Sequence, residues 1–242
     1  MANRPTLLAP GESIRDRTLQ LLRARIISLE LAPGASLSEN ELAAELGISR
    51  TPVRESLILL REEGLIQVFP QLGTFVSRVD PGRVAQAQFV REAIECASLR
   101  EAETVDPESL QALQANIREQ HAANEAGDID GFFALDEEFH RRLLRATGHE
   151  SAWNTVNAAK AHLDRARRLS LIDARPVSSL IEQHARIVDA LSEQDTTNAV
   201  ESLRAHLRAV FDDVERIRQR SPELFSDGGG LRPVRRTLTV LP

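Results

Sequence analysis

The sequence predicts a mainly α-helical protein in two parts: an N-terminal module of three helices and a β-hairpin, and a C-terminal antiparallel bundle of about six helices. Three observations lead to this fold class. Leu, Ala, Arg and Glu dominate the 242 residues, and these residue types favour helices. Apolar residues recur at helical spacing along most of the chain, and the strand-like segments cluster between residues 65 and 78.

Composition excludes several classes of protein. A single cysteine, Cys96, rules out an internal disulfide framework and fits a reducing compartment. No apolar run reaches the ~18 residues that a membrane-spanning helix needs. Residues 1–11 lack the apolar core of a signal peptide. We therefore expect a soluble cytoplasmic protein.

Charge is distributed unevenly along the chain. The formal net charge is -6, but residues 1–78 hold nine arginines and nine acidic residues, so the whole excess lies in residues 79–242. An acidic C-terminal part is unsuited to nonspecific nucleic-acid binding. The neutral N-terminal part can bind nucleic acid only if its arginines gather on one face.

The N-terminal module, residues 1–79, has clear start and stop signals. Ser38 and Glu41 form a capping box, and Gly47 ends the helix that follows. Ser49 supplies a capping hydroxyl for the next helix, and Pro52 is tolerated only in a first turn. The predicted elements are helices over 13–31, 38–46 and 49–63, then strands over 65–69 and 74–78.

This order of elements is that of a winged helix-turn-helix. DNA binding by such a module needs a third helix that presents polar and basic side chains from its first turns to the major groove. The hairpin tip at Gly73 can reach the minor groove or its phosphates. A winged helix that binds protein instead of DNA is the alternative. The candidate DNA-contacting side chains at the start of the third helix are Ser49, Arg50, Thr51 and Arg54.

The same residues carry a family resemblance. The stretch over 38–57, SENELAAELGISRTPVRESL, resembles the signature of GntR-family transcription regulators, and EGLI at 63–66 and GTFV at 73–76 continue it. The resemblance implies that Arg50, Thr51, Arg54 and Gly73 touch operator DNA. Asn40 departs from members that place a base-reading arginine there, so their operator sequences cannot be transferred.

The C-terminal part, residues 83–220, contains no strand pattern, and breaks such as Asp106-Pro107 and Thr147-Gly148 divide it. Short connections between helices predict an antiparallel bundle. Residues 221–242, which include three consecutive glycines, are expected to be a disordered tail. The predicted helices cover 83–104, 107–126, 128–147, 151–173, 177–193 and 196–220.

Four residues of the bundle have the chemistry of a metal site. Asp136 and His140 are four apart and share a helix face, while His184 and His206 lie within apolar patterns of two later helices. Three imidazoles that converge on a carboxylate suit a divalent cation such as Zn, Ni, Cu, Fe or Mn. Spacing alone leaves open that these are unrelated histidines of the core.

The bundle also resembles a known domain. Its three histidine-containing segments, with Phe133, Phe139 and Gln183 at the expected spacings, resemble the FCD effector domain of the FadR-like GntR subgroup. The resemblance implies a metal site of Asp136, His140, His184 and His206, for which we favour zinc, with nickel or manganese as alternatives. It also implies that Arg91 faces the effector pocket and pairs with an effector carboxylate. A solvated Arg91, or one paired with Glu95, is the alternative.

Together these features predict a transcriptional repressor that binds operator DNA as a homodimer. We expect its DNA binding to respond to a small carboxylate metabolite. The rival interpretations are a metalloenzyme, in which the metal activates water, and a purely structural metal bundle. No nucleophile motif or phosphate loop supports an enzyme, so no catalytic residue is assigned.

Overall fold

The computed structural model describes residues 13–102, 104–173 and 176–226. Within them the chain forms two compact units, one over residues 13–80 and 223–226 and the other over residues 81–222. The predicted fold class is confirmed: a winged helix-turn-helix region is followed by an all-α bundle.

The first unit contains three helices and a three-stranded antiparallel sheet in the order β1-β3-β2. In β2–β3, Phe69 pairs with Gly73 at the tip and Ile66 with Val76 at the base, which is the predicted hairpin. The two-residue strand β1 was not predicted, because two residues are too few for an alternating pattern. The elements are α1 (Ile14–Ile27), β1 (Ser36–Leu37), α2 (Glu39–Leu46), α3 (Arg50–Glu62), β2 (Ile66–Phe69) and β3 (Gly73–Val76).

Helix caps in this unit follow the sequence signals with one exception. The Ser38 hydroxyl accepts a hydrogen bond from the Glu41 backbone N–H at 3.3 Å. Gly47 ends α2 at φ 65°, a left-handed conformation that favours glycine. The predicted capping bond of Ser49 does not form. A cap normally accepts from the second or third helical N–H, and Pro52, at the third position, has none to give.

The second unit is a bundle of seven α-helices among its described residues. Helix α5 packs against α6 and α9, and α10 packs against α4, α8 and α9. No helix of the described segments is long and apolar enough to cross a membrane. The helices are α4 (Pro81–Glu101), α5 (Pro107–Glu125), α6 (Ile129–Ala146), α7 (Trp153–Ala159), α8 (Ala161–Asp173), α9 (Val177–Ser192) and α10 (Thr196–Arg220).

The single helix predicted over 151–173 is in fact a short 3-10 turn followed by α7 and α8, separated at Lys160. The Lys160 ammonium is buried and contacts two carboxylates, Glu137 on α6 and Asp164 one turn further along α8. These ion pairs explain how the only lysine of the chain is tolerated in the interior. Lysine is a good helix former, so nothing in the local sequence marked the break.

The predicted tail begins with ordered structure. Residues 222–224 form a 3-10 turn, and Phe225, 1% exposed, forms a parallel bridge with Val79. Residues 221–226 therefore differ from the disorder that the sequence predicted, because a large aromatic side chain is buried there. The rest of the predicted tail, 227–242, lies outside the described residues.

Candidate functional sites

The bundle brings the four predicted metal ligands together. Asp136, His140, His184 and His206 each present a ligand atom, all within 4.8 Å of one another. The Nε2 atom of His206 lies 3.2 Å from Nε2 of His140 and 3.2 Å from Nε2 of His184. All four side chains are buried, with exposed fractions between 0% and 7%. Helices α6, α9 and α10 thus supply one compact group of donor atoms.

Each imidazole is held by an acceptor on its outer nitrogen. His140 Nδ1 lies 2.7 Å from Glu95 Oε2, and His184 Nδ1 lies 2.9 Å from Gln120 Oε1. His206 Nδ1 lies 2.8 Å from Gln183 Oε1. Acceptors at these positions fix the tautomer in which Nδ1 carries the proton. The three Nε2 lone pairs therefore all face the centre of the group.

The amide of Gln120 is oriented by a further hydrogen bond. Its Nε2 donates to Asn116 Oδ1 at 2.7 Å, and Asn116 Nδ2 donates to the Leu135 carbonyl at 3.1 Å. These two hydrogen bonds orient the Gln120 amide so that its Oε1, and not its NH₂ group, faces His184. The position of the His184 ring is thus set by α5 and by the backbone of α6 as well as by its own helix.

Burial sets the charge of the ligands. It lowers the pKa of His184 to about 4, and it lowers the pKa of His140 and His206 well below the usual histidine value. Burial alone would raise the pKa of Asp136, but Arg167 and the surrounding cationic groups hold that pKa well below its usual range. Near neutral pH the group therefore consists of three neutral imidazoles and one carboxylate.

This donor set fits a divalent cation. Among the described residues no hydrogen-bond donor reaches the buried Asp136 Oδ1, which lies 3.6 Å from His184 Nε2. The other oxygen, Oδ2, accepts from Arg167. The three nitrogen lone pairs and the carboxylate oxygen repel one another when no proton lies between them. A cation at their centre removes that repulsion.

A cavity adjoins the metal-ligand group. Its volume is about 30 Å³, which is room for water and not for an organic acid, so a larger ligand requires the lining to move. Arg91 and His206 both contribute to this lining. Arg91 is 2% exposed and donates through Nε to Glu95 at 2.7 Å. Its terminal NH2 group has no hydrogen-bond partner within the described part of the chain.

The structure shows the Arg91–Glu95 pair and excludes a solvated Arg91, while the pairing of Arg91 with an effector carboxylate stays a prediction. Besides pairing with Glu95, Arg91 contributes to a cavity beside the metal ligands. The Glu95 carboxylate links the two features, because its other oxygen contacts His140.

Three of the five residues predicted to contact DNA, Arg50, Thr51 and Arg54, line one open groove of the first unit. Arg50 and Arg54, one turn apart at the start of α3, border this groove together with Glu39. The Arg50 side chain is 65% exposed and forms an ion pair with Glu39 at 3.2 Å. The opposite side of α3 is buried through Val53, Leu57 and Leu60.

Two more of these predicted residues are exposed. Ser49 precedes α3, and Gly73 lies at the hairpin tip with φ 118°, where a side chain would be strained. Asn40, the position that departs from some family members, is exposed in the first turn of α2.

The sequence analysis did not predict the roles of several residues of the site. Glu95, Gln120 and Gln183 hold the imidazoles, while Arg167 contacts Asp136 and Glu137. Helical spacing offered two partial signals, since Glu95 is four residues from Arg91 and Gln183 adjoins His184 in sequence. Arg167 lies in a cluster of three arginines at 165–168, and the sequence did not distinguish it from a solvated face.

Two family descriptions match the chain. Residues 14–76 match the description "Bacterial regulatory proteins, gntR family", and residues 86–209 match the FCD domain. A transcriptional regulator of Streptomyces ambofaciens, described as uncharacterized and in an unstable DNA locus, is 54% identical over 90% of this chain and 92% of its own. This chain belongs to the GntR family of transcriptional regulators.

Further relatives agree with this assignment. The HTH-type transcriptional repressor RspR of Escherichia coli is 36% identical over 92% of this GntR-family chain and 98% of its own. The solved structure of E. coli McbR/YncC has the same fold, with a TM-score of 0.69, 21% identity, and coverage of 85% of this chain and 98% of that chain. The matched family and these relatives are transcriptional regulators and not enzymes, which is evidence against the metalloenzyme interpretation.

Proposed function

We propose that this regulator is a homodimeric repressor whose C-terminal unit binds a divalent metal ion and a small carboxylic acid, and whose affinity for operator DNA changes when the acid binds. The observation that carries the proposal is the buried group of three neutral imidazoles and one carboxylate beside the cavity that Arg91 lines. The assignment as a repressor is supported by RspR, which is named a transcriptional repressor.

The metal would be held by Asp136, His140, His184 and His206. Three imidazole nitrogens and one carboxylate oxygen form a set that zinc accepts readily, and nickel and manganese are the alternatives. Bound there, the ion would supply a Lewis-acidic position for a carboxylate oxygen. The outer acceptors Glu95, Gln120 and Gln183 would keep the rings in their binding orientation.

A carboxylate effector follows from Arg91. Its terminal NH2 group is a buried, charged donor in need of an acceptor, and a carboxylate would satisfy it with a charge-assisted hydrogen bond. Because the cavity holds only about 30 Å³, an acid must displace its lining, to which helices α4, α6, α8, α9 and α10 contribute. Helix α4 follows the winged unit directly in sequence. A ligand that moves α4 would therefore move the segment that connects the bundle to the DNA-binding unit.

DNA binding is assigned to the exposed residues Ser49, Arg50, Thr51, Arg54 and Gly73. A homodimer would present two such surfaces to a pseudo-palindromic operator. The surface carries Glu39 and Glu55 as well as arginines, so its attraction to phosphate is modest. Binding should therefore depend on base contacts made by Arg50 and Arg54 more than on net charge.

The proposal is tested by selecting operator sequences from a random duplex pool and measuring affinity by fluorescence anisotropy. Arg54→Ala should weaken operator binding by about tenfold or more, whereas Arg61→Ala, exposed at the end of the same helix, should change it little. Equal losses in both variants would contradict the assignment of α3 as the recognition helix.

The effector half of the proposal is tested with the same operator. Zinc-saturated protein should change its operator affinity when small carboxylic acids are added, and a chelator or the His184→Ala substitution should abolish this response. Exposed His121 provides the control substitution, His121→Ala. An operator affinity that is insensitive to zinc and to every acid would leave only the DNA-binding function.

A further inference from the structure

The groove at the start of α3 carries charges of both signs. Arg50 and Arg54 line it from one side of α3, and Glu39, the first residue of α2, lines it from the neighbouring helix. Arg50 and Glu39 form an ion pair, whereas Arg54 forms none with any residue that the structure describes. The two arginines that we assign to DNA therefore differ in their surroundings.

The ion pair joins two positions whose backbones are held in helices. Glu39 opens α2 directly after the Ser38 cap, and Arg50 opens α3. Arg50 Nη2 donates to Glu39 Oε2 at 3.2 Å, across the turn that connects the two helices. The pair therefore holds the free end of the arginine side chain to a fixed point on another helix.

Folding stability does not account for this pair. The Arg50 side chain is 65% exposed and that of Glu39 is 32% exposed, and ion pairs between exposed side chains contribute little to folding. The consequence of the pair is conformational. An arginine that is already held in one orientation loses less side-chain freedom when it binds a partner.

The pair with Glu39 leaves Arg50 able to read a base. A guanidinium has five N–H donors, and Glu39 accepts from one of them. The remaining donors include two along one edge of the guanidinium plane, and such an edge matches O6 and N7 of guanine in the major groove.

The same carboxylate opposes a contact between Arg50 and phosphate. A phosphate that approached Arg50 would meet the negative charge of Glu39, or would have to replace Glu39 as the partner. A guanine edge carries no net charge, so it avoids this repulsion. Glu39 thus favours base contacts over backbone contacts, and base contacts are the ones that distinguish sequences.

We propose that Glu39 is a specificity determinant of the DNA-binding surface, a positioning residue that holds Arg50 for a guanine in the major groove and keeps it from the phosphate backbone. This inference rests on the proposed operator binding. It adds to that function the residue that determines how strictly Arg50 reads its base.

The test compares Glu39→Gln with Glu41→Gln in the full-length protein. Each substitution keeps the length of the side chain and removes one negative charge. Glu41 is also exposed in the first turn of α2, so its variant reproduces the loss of charge at that end of the helix. Fluorescence anisotropy gives the affinities for the selected operator, for its single-base variants and for an unrelated duplex.

The first measurement is the preference for guanine at the base position where Arg50→Ala relaxes discrimination. Glu39→Gln should reduce that preference by about fivefold, and Glu41→Gln should keep it. In the Arg50→Ala background, Glu39→Gln should have no further effect on discrimination, because it acts through that arginine.

The second measurement is the salt dependence of binding to the unrelated duplex. Without the Glu39 carboxylate, Arg50 is free to contact a phosphate. Glu39→Gln should therefore bind this duplex more tightly than wild type, with a slope of log affinity against log salt that is steeper by about one for each chain.

Three results would contradict the inference. Equal losses of discrimination in Glu39→Gln and Glu41→Gln would show an effect of charge alone. An undiminished effect of Glu39→Gln in the Arg50→Ala background would show that it does not act through Arg50. In both cases wild type still selects an operator, so the proposed function stands. If wild type bound no duplex selectively, the proposed operator binding would fail, and this inference with it.

Discussion

At the scale of single residues, the position of each imidazole depends on a partner outside the metal-ligand set. Gln120 is such a partner, since its Oε1 accepts from His184 Nδ1 at 2.9 Å and the residue is fully buried. Gln120→Leu removes that acceptor, so His184 loses both its orientation and the preference for a free Nε2. We expect zinc affinity to fall by about 10–100-fold.

Competition with a chromophoric chelator measures this change in zinc affinity. The matched control is Gln114→Leu, an exposed position on the same helix, for which we expect the wild-type affinity. If Gln120→Leu also retains wild-type affinity, the outer hydrogen bond does not position the ligand.

Reactivity at Cys96 gives a second prediction at this scale. The thiol is 2% exposed, and burial raises its pKa to about 11. The thiolate is the reactive form, and at pH 8 little of it is present, so the folded protein should react slowly with a disulfide reagent. The rate should rise with pH toward 11 and rise sharply when the protein is unfolded. Rapid, complete reaction of the folded protein at pH 8 would contradict the buried position.

At the scale of elements, two of the three serines that precede helices of the winged unit, Ser38 and Ser49, give an informative contrast. Ser38 caps α2 through a hydrogen bond from Glu41, whereas Ser49 makes no capping bond because Pro52 lacks an N–H. Ser38→Ala should cost about 1 kcal/mol of helix stability, and Ser49→Ala should cost little.

Hydrogen–deuterium exchange can measure the capping effect within the full chain. A loss of about 1 kcal/mol corresponds to roughly fivefold faster exchange of the α2 amides that open with the helix. The Ser49→Ala variant is the control, and its α3 amides should exchange at the wild-type rate. Equal acceleration in both helices would show that Ser49 stabilises α3 by another route.

Elements were predictable from sequence where local chemistry decides them. The Ser38 cap, the glycine at Gly47 and the hairpin around Gly73 each act within a few residues, and the structure places all three as the sequence indicated. The break at Lys160 was not predictable in this way. It is accompanied by ion pairs with Glu137 and Asp164, and the partner on α6 is known only once the helices are packed.

In the candidate metal site, too, the features set by local spacing were predictable and those set by helix packing were not. Spacing indicated that Asp136 and His140 share a face, because residues four apart on a helix always do. Which polar residue of another helix meets each imidazole depends on helix register across the bundle, and a single sequence does not carry that information. Glu95 and Gln120, on α4 and α5, were missed for this reason.

At the scale of the whole molecule, the unfolding of the bundle can be followed by itself because the only tryptophan, Trp153, lies in it. Its fluorescence reports the unfolding of the unit that contains the proposed metal site. Zinc that binds the native site and not the unfolded chain stabilises that unit by mass action, by about 4 kcal/mol at a concentration a thousand times the dissociation constant.

The expected outcome is a clear rise in the tryptophan-detected melting temperature when zinc is added, reversed by a chelator. His184→Ala should abolish the rise, because a cation held by the remaining ligands loses one of its three imidazole donors. His121→Ala, at an exposed position on α5, should melt and respond to zinc as the wild type does. If zinc raised the melting temperature of His184→Ala as much as that of wild type, the stabilising ion would have to bind elsewhere, and the buried imidazoles would be core residues without a metal.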